Sequence, residues 1–206
     1  MLESPNTTRE LLSHGPYGII ESVKVLIFIK DILGDILMTD KEKSIYRDII
    51  HLLTDNTTVH ENLEQCLESP KNYFISNFDR FDERGMDEDD NEHDIVWIAI
   101  VDELLETGKV VELDCRVELE DFLYAFQPLV DAAGLELSDE WFDEDESVPQ
   151  WCNILDKKWL SEDAYVAGID IDSDSYVIFP SQRETLKKLV LLGKQLNHRF
   201  DLAKNL

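Results

Sequence analysis

The chain has 206 residues, 43% of them hydrophobic, and sets 45 Asp and Glu against 19 Lys and Arg for a formal net charge of −26. That size allows one substantial core, or a core with a packed subdomain, and 4 Trp, 9 Phe and 6 Tyr supply aromatic mass that disordered acidic chains lack. So negative a surface repels phosphate backbones and anionic headgroups, so neither nucleic-acid nor membrane-surface binding is expected, whereas a basic protein partner would be drawn in.

The first elements are written as helix starts. Ser or Thr followed three residues later by Glu forms a capping box, in which each side chain satisfies the other residue's free backbone N–H. The pattern occurs at Thr7/Glu10, Thr39/Glu42, Thr58/Glu61 and Ser181/Glu184. After Thr39, Tyr46, Ile49, Ile50 and Leu53 fall at i, i+3, i+4 and i+7, the apolar stripe of a half-buried helix. Residues 1–78 therefore read as a helical subdomain. The apolar run Ile19 to Met38 is broken by Glu21, Lys24, Lys30, Asp31 and Asp35, so it is no uncharged span of roughly 20 residues. With no cationic leader and apolar core at the N-terminus, a cytoplasmic location is expected.

Residues 79–94 hold nine acids and two Arg, and the stretch 79–91 reads as a flexible acidic linker. Beyond it, Trp97, Ile100, Val101, Leu104 and Leu105 repeat at helical spacing, and Gly108 stands where a C-cap belongs. Val110 to Leu113 reads as a short strand. Leu119, Phe122, Leu123 and Phe126 mark a helix ending near Pro128 or Gly134. Trp151 to Leu160 reads as a short helix, and Ala164–Asp170 and Ser175–Phe179 as two strands around a polar turn. A final helix is expected from the Ser181 cap, burying Leu186, Leu189, Val190 and Leu196. The fold class expected is α+β: an N-terminal helical segment, then an α+β domain over 92–206 with a small mixed or antiparallel sheet covered by helices.

Two features bear on function. The second acidic block, residues 136–146, has seven acids and no base, with Trp141 and Phe142 inside it and Trp151 just after. Aromatic anchors with a charged rim are common at interfaces, so Trp141, Phe142, Asp143, Glu144, Asp145, Glu146 and Trp151 are candidate partner-binding residues. Rings that simply cover the sheet are the structural alternative. By contrast, residues 181–206 are basic, with six Lys and Arg against Glu184 and Asp201.

The other feature is Asp170-x-Asp172-x-Asp174, three carboxylates at alternate positions of a turn that could converge on a hard cation. An EF-hand also needs Gly at the sixth position and Glu at the twelfth, which here are Ser175 and Ser181. The turn resembles the Asp-x-Asp loop of haloacid-dehalogenase-type enzymes. That resemblance implies a metal-dependent hydrolase using Asp170, Asp172 and Asp174, although only about 35 residues follow where that family needs further catalytic groups. Asp and Ser are also what hydrogen-bonded turns favour.

No nucleophile elbow or glycine-rich phosphate loop is present, and no cofactor is expected. His60-Glu61 starts like a metalloprotease helix, but Glu64 replaces the second His. His93, among carboxylates, reads as solvated. Cys66, Cys115 and Cys152 share no metal-type spacing and read as buried free thiols.

Residues Val96 to Phe126 (VWIAIVDELLETGKVVELDCRVELEDFLYAF) and Gly168 to Pro180 (GIDIDSDSYVIFP) resemble an uncharacterised family of acidic bacterial proteins, a domain of unknown function, over roughly 92–200. The resemblance implies a small bacterial α+β protein and transfers no active-site residue. The function expected is a non-enzymatic module engaging a basic protein, in an immunity-like or regulatory role.

Overall fold

The computed structural model describes residues 38–206. The Thr7/Glu10 cap and most of the Ile19–Met38 run lie outside the described residues. Four helices come first: α1 (Asp40–Leu53), α2 (Thr57–Glu68), α3 (Pro70–Ser76) and α4 (Phe78–Glu83). The expected capping box opens α1: Glu42 N–H donates to Thr39 Oγ1, and Glu42 Oε2 accepts from Thr39 N–H at 2.7 Å. At α2 the cap lies two residues earlier than expected. Asn56 Oδ1 accepts from Thr58 and Val59 N–H, because an Asn side chain reaches free helical donors as well as Thr does.

Helix α5 (Glu92–Glu106) is the centre of the fold, and every residue from Ile95 to Leu104 is buried. It ends as Gly108 predicts, with φ +62° there and with Gly108 and Lys109 donating to the carbonyls of Leu105 and Leu104. That is the Schellman pattern, which glycine enters without a Cβ clash. Strand β1 (Val111–Asp114) follows, then α6 (Leu119–Ala133). Helix α6 runs through Pro128 and stops at Gly134. The carbonyl that Pro128 leaves without a donor belongs to Tyr124, a residue 84% exposed, where water can satisfy it.

Helix α7 (Val148–Lys158) opens with an unforeseen box, Ser147 with Gln150, and strands β2 (Ala164–Ile169) and β3 (Ser175–Gln182) form a hairpin. Ser181 is a correction. It is buried in β3 opposite Tyr165, and α8 (Arg183–Gln195) starts after it with no side-chain cap. Ladder pairing satisfies that backbone before a cap could. Val190, expected inside, is 38% exposed. A short strand β4 (Phe200–Leu202), absent from the sequence reading, completes the sheet.

The order β1-β3-β2-β4 is antiparallel throughout, so the α+β expectation stands with four strands. Side chains alternate across the sheet. Leu113, Val166 and Ile178 join the apolar faces of α6 and α7, including Phe122, Phe126 and Trp151. Ala167, Ile169, Val177 and Phe179 point the other way and join α5, α8 and α1–α4.

That second core includes Phe81, inside the segment 79–91 expected as a flexible linker. Phe81 of α4 is 1% exposed and stacks on Phe74 at 4.9 Å, and one apolar cluster runs from Met38 to Phe200. One aromatic ring in the block outweighs its solvated neighbours by burying apolar area worth about 2–3 kcal/mol.

Candidate functional site

A cleft of about 690 Å³ opens among the described residues. The turn into α5, the end of α4, the β2–β3 turn and the α8–β4 loop enclose it. Trp97 and His198 form its inner wall with rings parallel, 4.2 Å apart and 1° from coplanar alignment. Phe200 meets Trp97 edge-on at 5.1 Å. The indole Nε1 donates to the Asp170 carbonyl at 2.8 Å, and Asp170 N–H donates to Arg199 O at 3.0 Å, so α5, the hairpin and the last loop are tied at one point.

Behind this wall the Tyr46 hydroxyl lies 2.9 Å from His198 Nε2 and 3.2 Å from His93 Nδ1. The hydroxyl also lies 3.3 Å from the His93 carbonyl, to which it can donate its single proton while accepting from a ring N–H. Burial, with the nearby His93 adding to it, pushes His198 down to about 4, so its imidazole is neutral at neutral pH. Burial likewise holds the Tyr46 phenol above its usual range. His93 is thus a latch between α1 and α5 rather than a free side chain. Its other nitrogen lies 3.9 Å from Glu42.

Charge in the cleft is acidic. Glu83, Asp90, Asp94, Glu112, Asp170 and Asp172 line it against Arg84 and Arg199, and both arginines are already engaged. Arg84 Nη2 reaches Asp102 at 2.7 Å and Glu112 at 2.9 Å. Arg199 reaches Asp201 at 2.8 Å and Asp170 at 3.5 Å. Burial raises the Asp102 carboxyl above its ordinary range, with Arg84 opposing that shift. Beside it, Arg80 Nη1 donates to Glu103 at 3.1 Å, and Glu103 also accepts from Tyr73 and Asn62. The two arginines of the first acidic block therefore serve acids of α5.

The Asp170, Asp172 and Asp174 turn does not assemble a metal site. Among the described residues no group of three or more His, Cys, Asp or Glu side chains is placed to hold an ion. Asp170 pairs with Arg199, and its Oδ1 accepts from Asp172 N–H at 3.0 Å. Asp172 sits at φ +55°, and Ser175 N–H donates to Ser173 Oγ at 3.1 Å. Of the three, it is the Asp170 carboxylate that closes and docks the tight hairpin.

The second acidic block divides its residues between two tasks. Trp151 is 1% exposed and donates from Nε1 to the Asp143 carbonyl at 2.9 Å. It is core, and this corrects its assignment to a partner surface. Trp141 and Phe142 are half-buried: Phe142 meets Phe122 edge-on at 6.1 Å, and Lys158 Nζ lies 4.6 Å over the Trp141 ring. Asp143, Glu144 and Asp145 are exposed, while Glu146 is half-buried. The rings pin the loop and the carboxylates stay outside.

Cys66 and Cys152 are buried, and Cys115, expected inside, is exposed. Burial pushes the Cys66 thiol up to about 12, the opposite of an activated nucleophile. His60 caps the end of α1 through its Nε2, 2.8 Å from Thr54 O, and Glu64 pairs with Arg47 at 2.6 Å. Neither takes part in the cleft. Sequence reading missed the cleft itself, because Trp97 and His198 lie 101 positions apart and neither carries a motif.

The fold defines a small α+β protein with an antiparallel sheet between two helical layers. The profile of a domain of unknown function (DUF6630) matches residues 45–203, and the chain belongs to that family. The match begins inside α1, so it takes in the helices that the sequence reading had set outside the resemblance. No curated protein and no solved structure matches the chain.

No helix among the described residues is long and apolar enough to cross a membrane.

Proposed function

We propose that this protein is a non-enzymatic binding module that engages a basic protein through the loop 139–145. The observation that carries this reading is the state of that loop. Asp139, Glu140, Asp143, Glu144 and Asp145 are exposed, and none has an ion-pair partner among the described residues. Meanwhile Trp141, Phe142 and the Trp151 hydrogen bond hold its backbone in place. A pre-shaped row of unneutralised carboxylates loses little conformational entropy when a cationic surface meets it, and its field steers such partners. A regulatory or immunity-like role in a bacterial cytoplasm fits this reading. The alternative, a metal-dependent hydrolase using Asp170, Asp172 and Asp174, would need those carboxylates to converge on an ion, and no such group of three is found among the described residues.

The test compares local with global charge. The full chain is used to capture proteins from native lysate at low and high salt, beside two charge-reversed variants. One carries Asp143→Lys, Glu144→Lys and Asp145→Lys, and the other carries Asp55→Lys, Glu61→Lys and Glu68→Lys, exposed positions just before and on α2. A basic protein kept by the wild type and the second variant but lost by the first supports the proposal. Equal retention by both variants, or none by the wild type, defeats it.

A further inference from the structure

Helix α8 and strand β4 leave a groove of about 440 Å³ whose floor includes Leu186, Val190, Leu191 and Leu202. Leu191 is 65% exposed. It forms a ridge shared with a second depression, against α1, that includes Leu52, Lys188 and Leu192. Leu186 and Leu189 are buried, so Val190 and Leu191 extend the apolar stripe of α8 beyond what the sheet covers. β4 has only three residues and is the outer strand, with β2 as its single neighbour.

The charge around this surface is opposite to that of the rest of the molecule. Helix α8 carries Arg183, Lys187, Lys188 and Lys194 against Glu184 in a chain of net charge −26. At the groove rim Arg183 lies over the Tyr165 ring at 4.8 Å and pairs with Asp163 at 2.6 Å, while Lys187 pairs with Glu184 at 2.7 Å. Both ion pairs are solvent-exposed, and such pairs contribute little and exchange readily. The groove's one acid, Asp201, is already held by Arg199 at 2.8 Å. Lys188 and Lys194 have no ion pair among the described residues.

We propose that this groove docks an acidic amphipathic segment of another protein, laid along α8 with its apolar side chains on Leu186, Val190, Leu191 and Leu202 and its carboxylates toward Arg183 and Lys187. The floor demands apolar anchors, as in other helix-in-groove contacts, and the cationic rim selects carboxylates over amines. A second copy of the chain fits less well, since it would bring another −26 against this one. A short segment brings its acids only to the rim, where screening over roughly 8 Å leaves the local cations in control. This surface shares no residue with the loop 139–145, so it stands or falls separately from the basic-partner reading.

The test titrates the full chain against two labelled synthetic peptides, read by fluorescence anisotropy. Both carry Leu at i, i+3, i+4 and i+7; one has Glu at the intervening positions and the other Lys. The expected result is saturable binding of the Leu/Glu peptide, weakened about tenfold or more by Leu191→Glu and about threefold by Lys187→Glu. Both residues are exposed, so circular dichroism of the variants should match the wild type. No saturation by the Leu/Glu peptide overturns the proposal, as does unchanged binding by the Leu191→Glu protein. Equally tight Leu/Lys binding that Leu191→Glu also abolishes would show that the rim does not select. A dimer in sedimentation that Leu191→Glu dissociates would assign the groove to a second copy instead.

Discussion

Residues 79–94 and 136–146 each contribute −7 to the net charge, yet the first block brings its own arginines and the second brings none. In the first, Arg80 and Arg84 reach the buried acids Asp102 and Glu103 of α5, and Phe81 enters the core between them. In the second, Trp141 and Phe142 turn toward the other face of the sheet, and the carboxylates have no ion-pair partner among the described residues. Density of acid alone therefore says nothing about order. What decides is whether the block contains a ring to bury and a cation to spend inside the molecule.

The sharpest way to break this comparison is to remove the ring from the first block. Phe81→Ala should destabilise the protein by about 4 kcal/mol, as deletion of a fully buried Phe does, measured by urea denaturation. A loss below about 0.5 kcal/mol would restore the solvated linker.

Next in size is the counter-charge. Arg84→Met leaves Asp102, 8% exposed, beside Glu112 with its closest cation gone. We expect a loss of about 3 kcal/mol. Adding Asp102→Leu should recover most of it, because the uncompensated buried charge then disappears. No recovery in the double variant would mean that Arg84 acts by packing alone.

A smaller effect tests how the end of the first block is latched through His93, Tyr46 and His198. His198 has a folded value of about 4 against an ordinary 6.5. Between those values the unfolded chain binds a proton that the folded chain refuses. Stability from this group is thus present above pH 6.5 and declines as pH falls toward 4, at up to about 1.4 kcal/mol per pH unit. His198→Gln removes that dependence. The difference in melting temperature between wild type and variant should therefore shrink from pH 7 to pH 4.5, and a difference constant with pH would rule out a neutral buried imidazole.

The smallest change is expected in the second block. Reversing Asp143, Glu144 and Asp145 together should alter stability by no more than about 0.5 kcal/mol, since these exposed carboxylates have no ion-pair partner among the described residues and Asp143 caps only its own turn, accepting from Asp145 N–H. A loss of several kcal/mol would show that they pair with something structural.

Much of the fold was legible because it is local. The stripe Trp97 to Leu105 marks α5 and Gly108 its end; Thr39 with Glu42 caps α1; and the alternation around 164–179 writes the hairpin. Each signal concerns residues within about two helical turns of one another, where periodicity and capping chemistry act. Less of the candidate site was legible. The aromatics of the second block were noticed, but whether a ring faces a partner or the core depends on Phe122, from another helix.

Legible in the sequence alone, then, are the helix and strand periods, the Thr39 and Gly108 helix ends, the α+β class and the blockwise acidity. What depends on the tertiary structure is that Phe81 of the first acidic block enters the core, that Trp151 is buried, that the three hairpin carboxylates form no group able to hold an ion, and that Trp97 stacks on His198. The reason is physical. Propensity and patterning act between neighbours along the chain, whereas burial and ion pairing depend on which distant residues arrive, as Arg84 finds Asp102 and Glu112 only once α4, α5 and β1 have packed.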